Sequence, residues 1–117
     1  MVAPDQTVEE AESGIGEHAR RLLGVKALLE VSPAPESWKE AQRELRRSAA
    51  ALKQDVYTLI QSRPSAERPR LRRLYSALFN GVSSLDYAAR EGDEARVWEC
   101  YGNVVAVLDE ILSSLLS

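Results

Sequence analysis

Residues 74–90 read LYSALFNGVSSLDYAAR, and two signals within them conflict. Asn80-Gly81 is the strongest short-range mark of a β-hairpin turn. The apolar residues ignore it. Leu71, Leu74 with Tyr75, Leu78, Val82, Leu85 and Ala89 recur at steps of three and four, which sets them on one face of an α-helix. A turn at Gly81 would cut that stripe, so the spacing predicts a helix that runs through the glycine. A mid-helix glycine costs about 1 kcal/mol relative to alanine, and the missing side chain lets a neighbouring helix backbone approach. The stretch therefore predicts tight helix-on-helix packing.

The flanking sequence extends the pattern. Trp38, Ala41, Leu45, Ala49, Leu52, Val56 and Leu59 share one helical face, and Val97, Tyr101, Val104, Leu108, Ile111 and Leu115 share another. Both run close to heptad spacing, as helices crossing at shallow angles in a bundle require. An earlier stretch is weaker. It has Ile15, Leu22, Leu23 and Leu29 but also Gly14, Gly16 and Gly24, which predicts a start that frays or bends. Three breaks separate the stripes: Ser32-Pro33-Ala34-Pro35, Ser62-Arg63-Pro64-Ser65 with Ser65 as N-cap, and Glu91-Gly92-Asp93 with Gly92 ending one helix and Asp93 capping the next. Helices are expected at about 7–31, 36–62, 66–90 and 93–116. Short connections make neighbours antiparallel, so the fold expected is all-α: an up-down-up-down four-helix bundle over 16–117, preceded by a short acidic segment, 1–15.

The chain of 117 residues is long enough for one packed core, and 28% charged with 44% hydrophobic residues is the composition of a globular domain. It has no apolar run of about 18 residues to span a membrane, and its acidic first 20 residues lack the apolar core of a secretory signal. Met1 is thus expected to begin either a cytosolic protein or a trimmed mature form. The net charge of −3 conceals an asymmetry: residues 1–36 sum to −4, 37–73 to +6 and 74–117 to −5. Folded antiparallel, this sets a basic region beside acidic ones, which suits charge-directed docking.

Little in the chain points to catalysis or metal binding. His18 is the only histidine, which leaves a catalytic triad or a histidine metal site without partners; beside Glu17, Arg20 and Arg21 it reads as a solvated surface residue. Cys100 is the only cysteine, so no internal disulfide forms, and its place beside an apolar stripe marks a small buried hydrophobe. Gly14-Ile15-Gly16 follows no strand and lacks a third glycine, so it is not a nucleotide loop. Glu9/Glu10 and Asp109/Glu110 are adjacent in sequence and diverge around a helix, and no Glu-x-x-His pair is present for a di-metal bundle. No cofactor or metal is expected. Trp38 and Trp98, each near the start of a helix, are expected to plug one end of the core.

One surface feature carries a mechanism. Arg63, Arg68, Arg70, Arg72 and Arg73 fall within eleven residues, with Glu67 the only acid among them, and Arg43, Arg46 and Arg47 precede them on another helix. Arginine forks bind carboxylates and phosphates through paired hydrogen bonds. The cluster reads either as a solvated face satisfied by nearby acids or as a contact for an acidic protein surface. Nucleic acid is the weaker third reading, because the whole protein is acidic and no stacking aromatics interleave with the arginines in sequence.

Residues 37–60, SWKEAQRELRRSAAALKQDVYTLI, are similar to the second helix of PsbQ, the extrinsic lumenal protein of plant photosystem II: a Trp near the start, a basic-apolar run, then an Asp and an apolar finish. LYSALFNGVSSLDYAAR and WECYGNVVAVLDEIL (98–112) resemble its third and fourth helices, and the resemblance covers about residues 16–116, nearly all of the bundle. It implies a non-catalytic four-helix subunit of the thylakoid lumen, imported with a cleaved transit peptide. PsbQ itself supports the oxygen-evolving centre and helps retain calcium and chloride. Its paralogues serve the chloroplast NADH dehydrogenase-like complex, which drives cyclic electron flow around photosystem I. Plant PsbQ has a long proline-rich N-terminal arm and is basic overall, whereas here only the short acidic segment 1–15 is expected before the bundle and the pI is near 5.2. Both departures favour a PsbQ-like paralogue on the NADH dehydrogenase-like complex over a photosystem II subunit, with the Arg63–Arg73 region as the partner contact.

Overall fold

Helix propensity and apolar spacing decide the local structure, and nearly every described residue is helical. The computed structural model describes residues 6–31 and 35–116; the expected turn at Ser32-Pro33-Ala34 lies outside them. The helices are α1 (Val8–Leu23), α2 (Val25–Val31), α3 (Pro35–Gln61), α4 (Arg68–Glu91) and α5 (Glu94–Leu116). No strand occurs among the described residues. α1 and α2 both pack along α3, and together they form the first of four rods.

Cross-helix hydrogen bonds fix the direction of each rod. Gln6, just before α1, accepts from Thr58 near the end of α3 (2.6 Å), and Gln42 near the start of α3 donates to Asp86 near the end of α4 (2.9 Å). Arg70 at the start of α4 donates to Ser114 at the end of α5 (3.1 Å), and Tyr101 early in α5 donates to the Leu23 carbonyl ending α1 (2.8 Å). Each pair joins a start to an end. The architecture is therefore an antiparallel, up-down-up-down four-helix bundle, 44 Å long and about 25 Å across, as a 27-residue α3 at about 1.5 Å per residue requires.

The expected stripes form the core. All seven named residues of α3 are buried, as are Leu71, Leu78, Val82, Leu85 and Ala89 of α4 and Val97, Val104, Leu108, Ile111 and Leu115 of α5. α4 runs through Asn80-Gly81 unbroken. A β-carbon on Gly81 would lie 3.2 Å from Cγ2 of buried Val104, so the glycine accommodates a side chain of α5 rather than its backbone. Trp38 is buried and its indole N–H donates to the Leu29 carbonyl (3.2 Å), while Trp98 is half-buried, edge-to-face with Tyr101. Both stand where α3 and α5 start, at the same end of the core.

Three expectations need correction. The start of α1 neither frays nor bends: Thr7 and Glu10 form a reciprocal capping box, which satisfies two orphan backbone N–H groups. Because of that cap the helix begins at Val8, and Ala11 and Ile15 enter the core although they fall within the segment read as preceding the bundle. The first rod instead breaks at Gly24, whose backbone stays right-handed and whose carbonyl takes a tight bond from the Ala27 N–H (3.2 Å). Third, Ser65 does not cap α4. A turn occupies 65–67, and Glu67 stands at the N-cap with no side-chain bond. The remaining punctuation is as expected: Gly92 is left-handed (φ 72°) and Asp93 accepts from the Arg96 N–H (3.1 Å).

Candidate functional site

The five arginines of the 63–73 region lie at one end of the bundle, where α3 passes into α4, and their surroundings divide them. Arg63 is half-buried and paired with Glu67 (3.2 Å). Arg68, also half-buried, donates to the carbonyls of Arg63 (3.0 Å) and Gln61 (3.2 Å), so its guanidinium closes the C-terminal end of α3, where carbonyls have no helical partner. Arg70 faces α5 and reaches Ser114 (3.1 Å) and Glu110 (3.6 Å). Arg72 and Arg73 are exposed and make no ion pair among the described residues. Three of the five thus hold the fold together, and two carry free charge.

The arginines of α3 are likewise occupied. Arg43 pairs with Glu40, Arg47 lies near Glu44 (3.9 Å), and Arg46 grips Asp86 with two nitrogens (3.0 and 3.2 Å). Asp86 also accepts from Gln42, which further bonds the Asp86 carbonyl (3.1 Å), so a buried amide and a carboxylate lock α3 to α4. The free positive charge of this end is concentrated on Arg72 and Arg73.

The structure corrects the reading of His18. It is not a solvated surface residue: its Nδ1 lies 2.5 Å from Oδ2 of Asp55, a carboxylate only 1% exposed on α3. Gln6 donates to the other oxygen of Asp55 (2.7 Å). Gly14 sits against the pair, where a β-carbon would lie 3.1 Å from His18 Cε1 and 3.3 Å from Asp55 Oδ2. The Gly14-Ile15-Gly16 run, empty as a nucleotide motif, thus makes room for a buried polar bridge. Asp55 shows in the sequence only as an acid one step off the stripe of Leu52, Val56 and Leu59.

Other polar groups offer no reactive arrangement. Cys100 is buried and unpaired, as expected of a small hydrophobe. No group of three or more His, Cys, Asp or Glu side chains among the described residues could hold a metal ion, and no helix there is long and apolar enough to cross a membrane. Tyr75 and Tyr101 have pKa values raised above 10, first by burial and then by the nearby Tyr57 and Glu30 respectively.

The family profile of PsbQ, oxygen evolving enhancer protein 3, matches residues 1–116. The chain belongs to the PsbQ family. It is 47% identical over 108 residues to PsbQ-like protein 3, chloroplastic, of Arabidopsis thaliana, an alignment covering 92% of this chain and 56% of that protein. With oxygen-evolving enhancer protein 3-1, chloroplastic, of the same plant it shares 32% over 106 residues, covering 91% of this chain and 46% of the relative. The corresponding protein of Spinacia oleracea is 31% identical over 97 residues, 83% of this chain and 40% of its own length. The chain thus spans about half the length of the curated relatives it matches.

Proposed function

We propose that this chain is a non-catalytic extrinsic subunit on the lumenal face of the thylakoid membrane, a PsbQ-like paralogue that stabilises the chloroplast NADH dehydrogenase-like complex. Family membership and greater similarity to a PsbQ-like protein than to the oxygen-evolving enhancers support this reading. So does the site: a rigid bundle whose Arg63–Arg73 end presents Arg72 and Arg73 without ion-pair partners among the described residues. Side chains held by their own fold cannot serve a partner without breaking a bond, whereas these two can. Nothing among the described residues assembles a nucleophile with a base, which fits a scaffold role.

The expected result is co-migration of the affinity-tagged chain, expressed in chloroplasts, with NADH dehydrogenase-like subunits on native gels, identified by mass spectrometry. The names of the oxygen-evolving enhancer relatives favour a second reading, a photosystem II subunit that supports calcium and chloride retention. Co-migration with photosystem II subunits alone would replace the first reading by the second.

A further inference from the structure

Two depressions adjoin on the face between α3 and α4. One is lined by Tyr57 and Ile60 of α3 and by Arg72, Tyr75 and Ser76 of α4. The next runs past Lys53 and Ala50 to Phe79 and Ser83. They are continuous along both helices: the Tyr75 and Phe79 rings meet edge-to-face at 5.0 Å, and Lys53 and Tyr57 are one turn apart on α3. The result is a groove with an aromatic floor, Arg72 near one end and Lys53 about half-way along it.

Its polar groups are positive or hydrogen-bond donors. Lys53 lies over the Phe79 ring, 5.6 Å from its centre, and neither Lys53 nor Arg72 has an ion-pair partner among the described residues. The one acid at the groove's edge, Asp86, is held by Arg46 and Gln42. Tyr57 Oη accepts from Gln61 (2.8 Å), which leaves its hydrogen to donate elsewhere, and Tyr75 Oη has no hydrogen-bond partner among the described residues. Arg72 and Phe79 are two turns apart on α4, about 10 Å, so carboxylates two turns apart on a partner helix would meet Arg72 and Lys53 together.

We propose that this groove docks an acidic helical segment of a neighbouring protein subunit. One carboxylate sits on Arg72 and the tyrosine hydroxyls, a second on Lys53, and an apolar side chain between them rests on Tyr57, Ile60 and Tyr75. The proposal rests on the assembly-subunit reading above and locates its contact. It makes Arg72 the main contact and leaves Arg73, about 100° further round α4 and outside the groove's lining, a lesser one at the rim.

The test uses thylakoid membranes from plants lacking the protein, reconstituted with the full chain and treated with a water-soluble carbodiimide. This reagent takes up the water lost as the Lys53 amine and a partner carboxylate form an amide, and peptide mass spectrometry names both residues. The expected outcome is a bond from Lys53 to an Asp or Glu of a membrane-complex subunit. Arg72→Glu lowers binding at least about tenfold, the loss of one charge-assisted contact, Arg73→Glu lowers it by less than about threefold, as a solvent-exposed rim charge does, and helicity by circular dichroism is unaltered in both. Equal losses from the two reversals would overturn the groove and leave a diffuse electrostatic docking end. No loss from either would overturn the groove and that end together. Equal binding to protein-free vesicles of anionic lipid, with the same Arg72 dependence, would make the occupant a lipid surface. Failure of the unaltered chain to bind the membranes would overturn the assembly reading itself.

Discussion

His18 on α1 and Asp55 on α3 share a 2.5 Å hydrogen bond, although a sequence reading treats the two as unrelated. The bond ties the chain's only histidine to a carboxylate at the inner edge of the α3 stripe. Replacing His18 by Ala takes one donor from that buried carboxylate and is expected to destabilise the fold by about 1–3 kcal/mol. Urea unfolding checks it, with the midpoint falling and the slope unchanged.

Gly14 extends the same relationship. Gly14→Ala alone gains helix propensity of about 1 kcal/mol but presses on the imidazole at 3.1 Å. The expected outcome is a gain larger in the His18→Ala background than in the native chain, and a double-mutant cycle of unfolding free energies reads the difference. Strict additivity would show that the imidazole yields freely.

Gly81 and Gly102 are expected to diverge. A β-carbon at Gly102 meets nothing within 4 Å, so Gly102→Ala should raise stability by up to about 1 kcal/mol. At Gly81 buried Val104 stands in the way, and Gly81→Leu should cost about 1–3 kcal/mol, part of which Val104→Ala recovers. Thermal melts of Gly102→Ala, Gly81→Leu, Val104→Ala and the Gly81→Leu/Val104→Ala double variant check this.

Those glycines show what a sequence conveys and what it omits. The stripes of α3, α4 and α5 were legible because periodicity is a one-dimensional trace of burial, strong enough to override the Asn80-Gly81 turn signal. The neighbour that crowds Gly81 is Val104, twenty-three residues on, and spacing within a single helix carries no trace of it. The same holds for the arginines. Their clustering is visible, yet only the fold shows that Arg68 closes α3, Arg70 reaches α5, and Arg72 stands beside Tyr57 and Tyr75 with no ion-pair partner among the described residues. Asp55 leaves no mark in the sequence because an acid beside an apolar stripe has the same local pattern whether it meets water or a histidine.

Arg68→Ser removes two bonds to the end of α3 and should lower stability by about 1 kcal/mol. Arg72→Ser and Arg73→Ser, which break no intramolecular bond, should leave it within about 0.5 kcal/mol. Chemical denaturation of the three single variants separates the structural arginine from the two available for docking.

Tyr101 makes stability fall at alkaline pH. Its hydroxyl donates to the Leu23 carbonyl, and burial, then Glu30, raise its folded-state pKa above 10. The neutral form is therefore favoured by folding. Its contribution is complete below the unfolded value and disappears as pH rises through the folded one. Melting temperatures measured from neutral pH to above that range should drop more steeply for the native chain than for Tyr101→Phe.

Gly24 has a kinetic consequence. It leaves α2 as seven residues, far too short to persist alone, held against α3 by Val25 and Leu29 and by the Trp38 indole on the Leu29 carbonyl. The amides of Val25–Val31 can then exchange with solvent through an opening confined to one end, while α1 beyond the break keeps its protection. The first rod has two lifetimes, and a single indole hydrogen bond helps to set the shorter one.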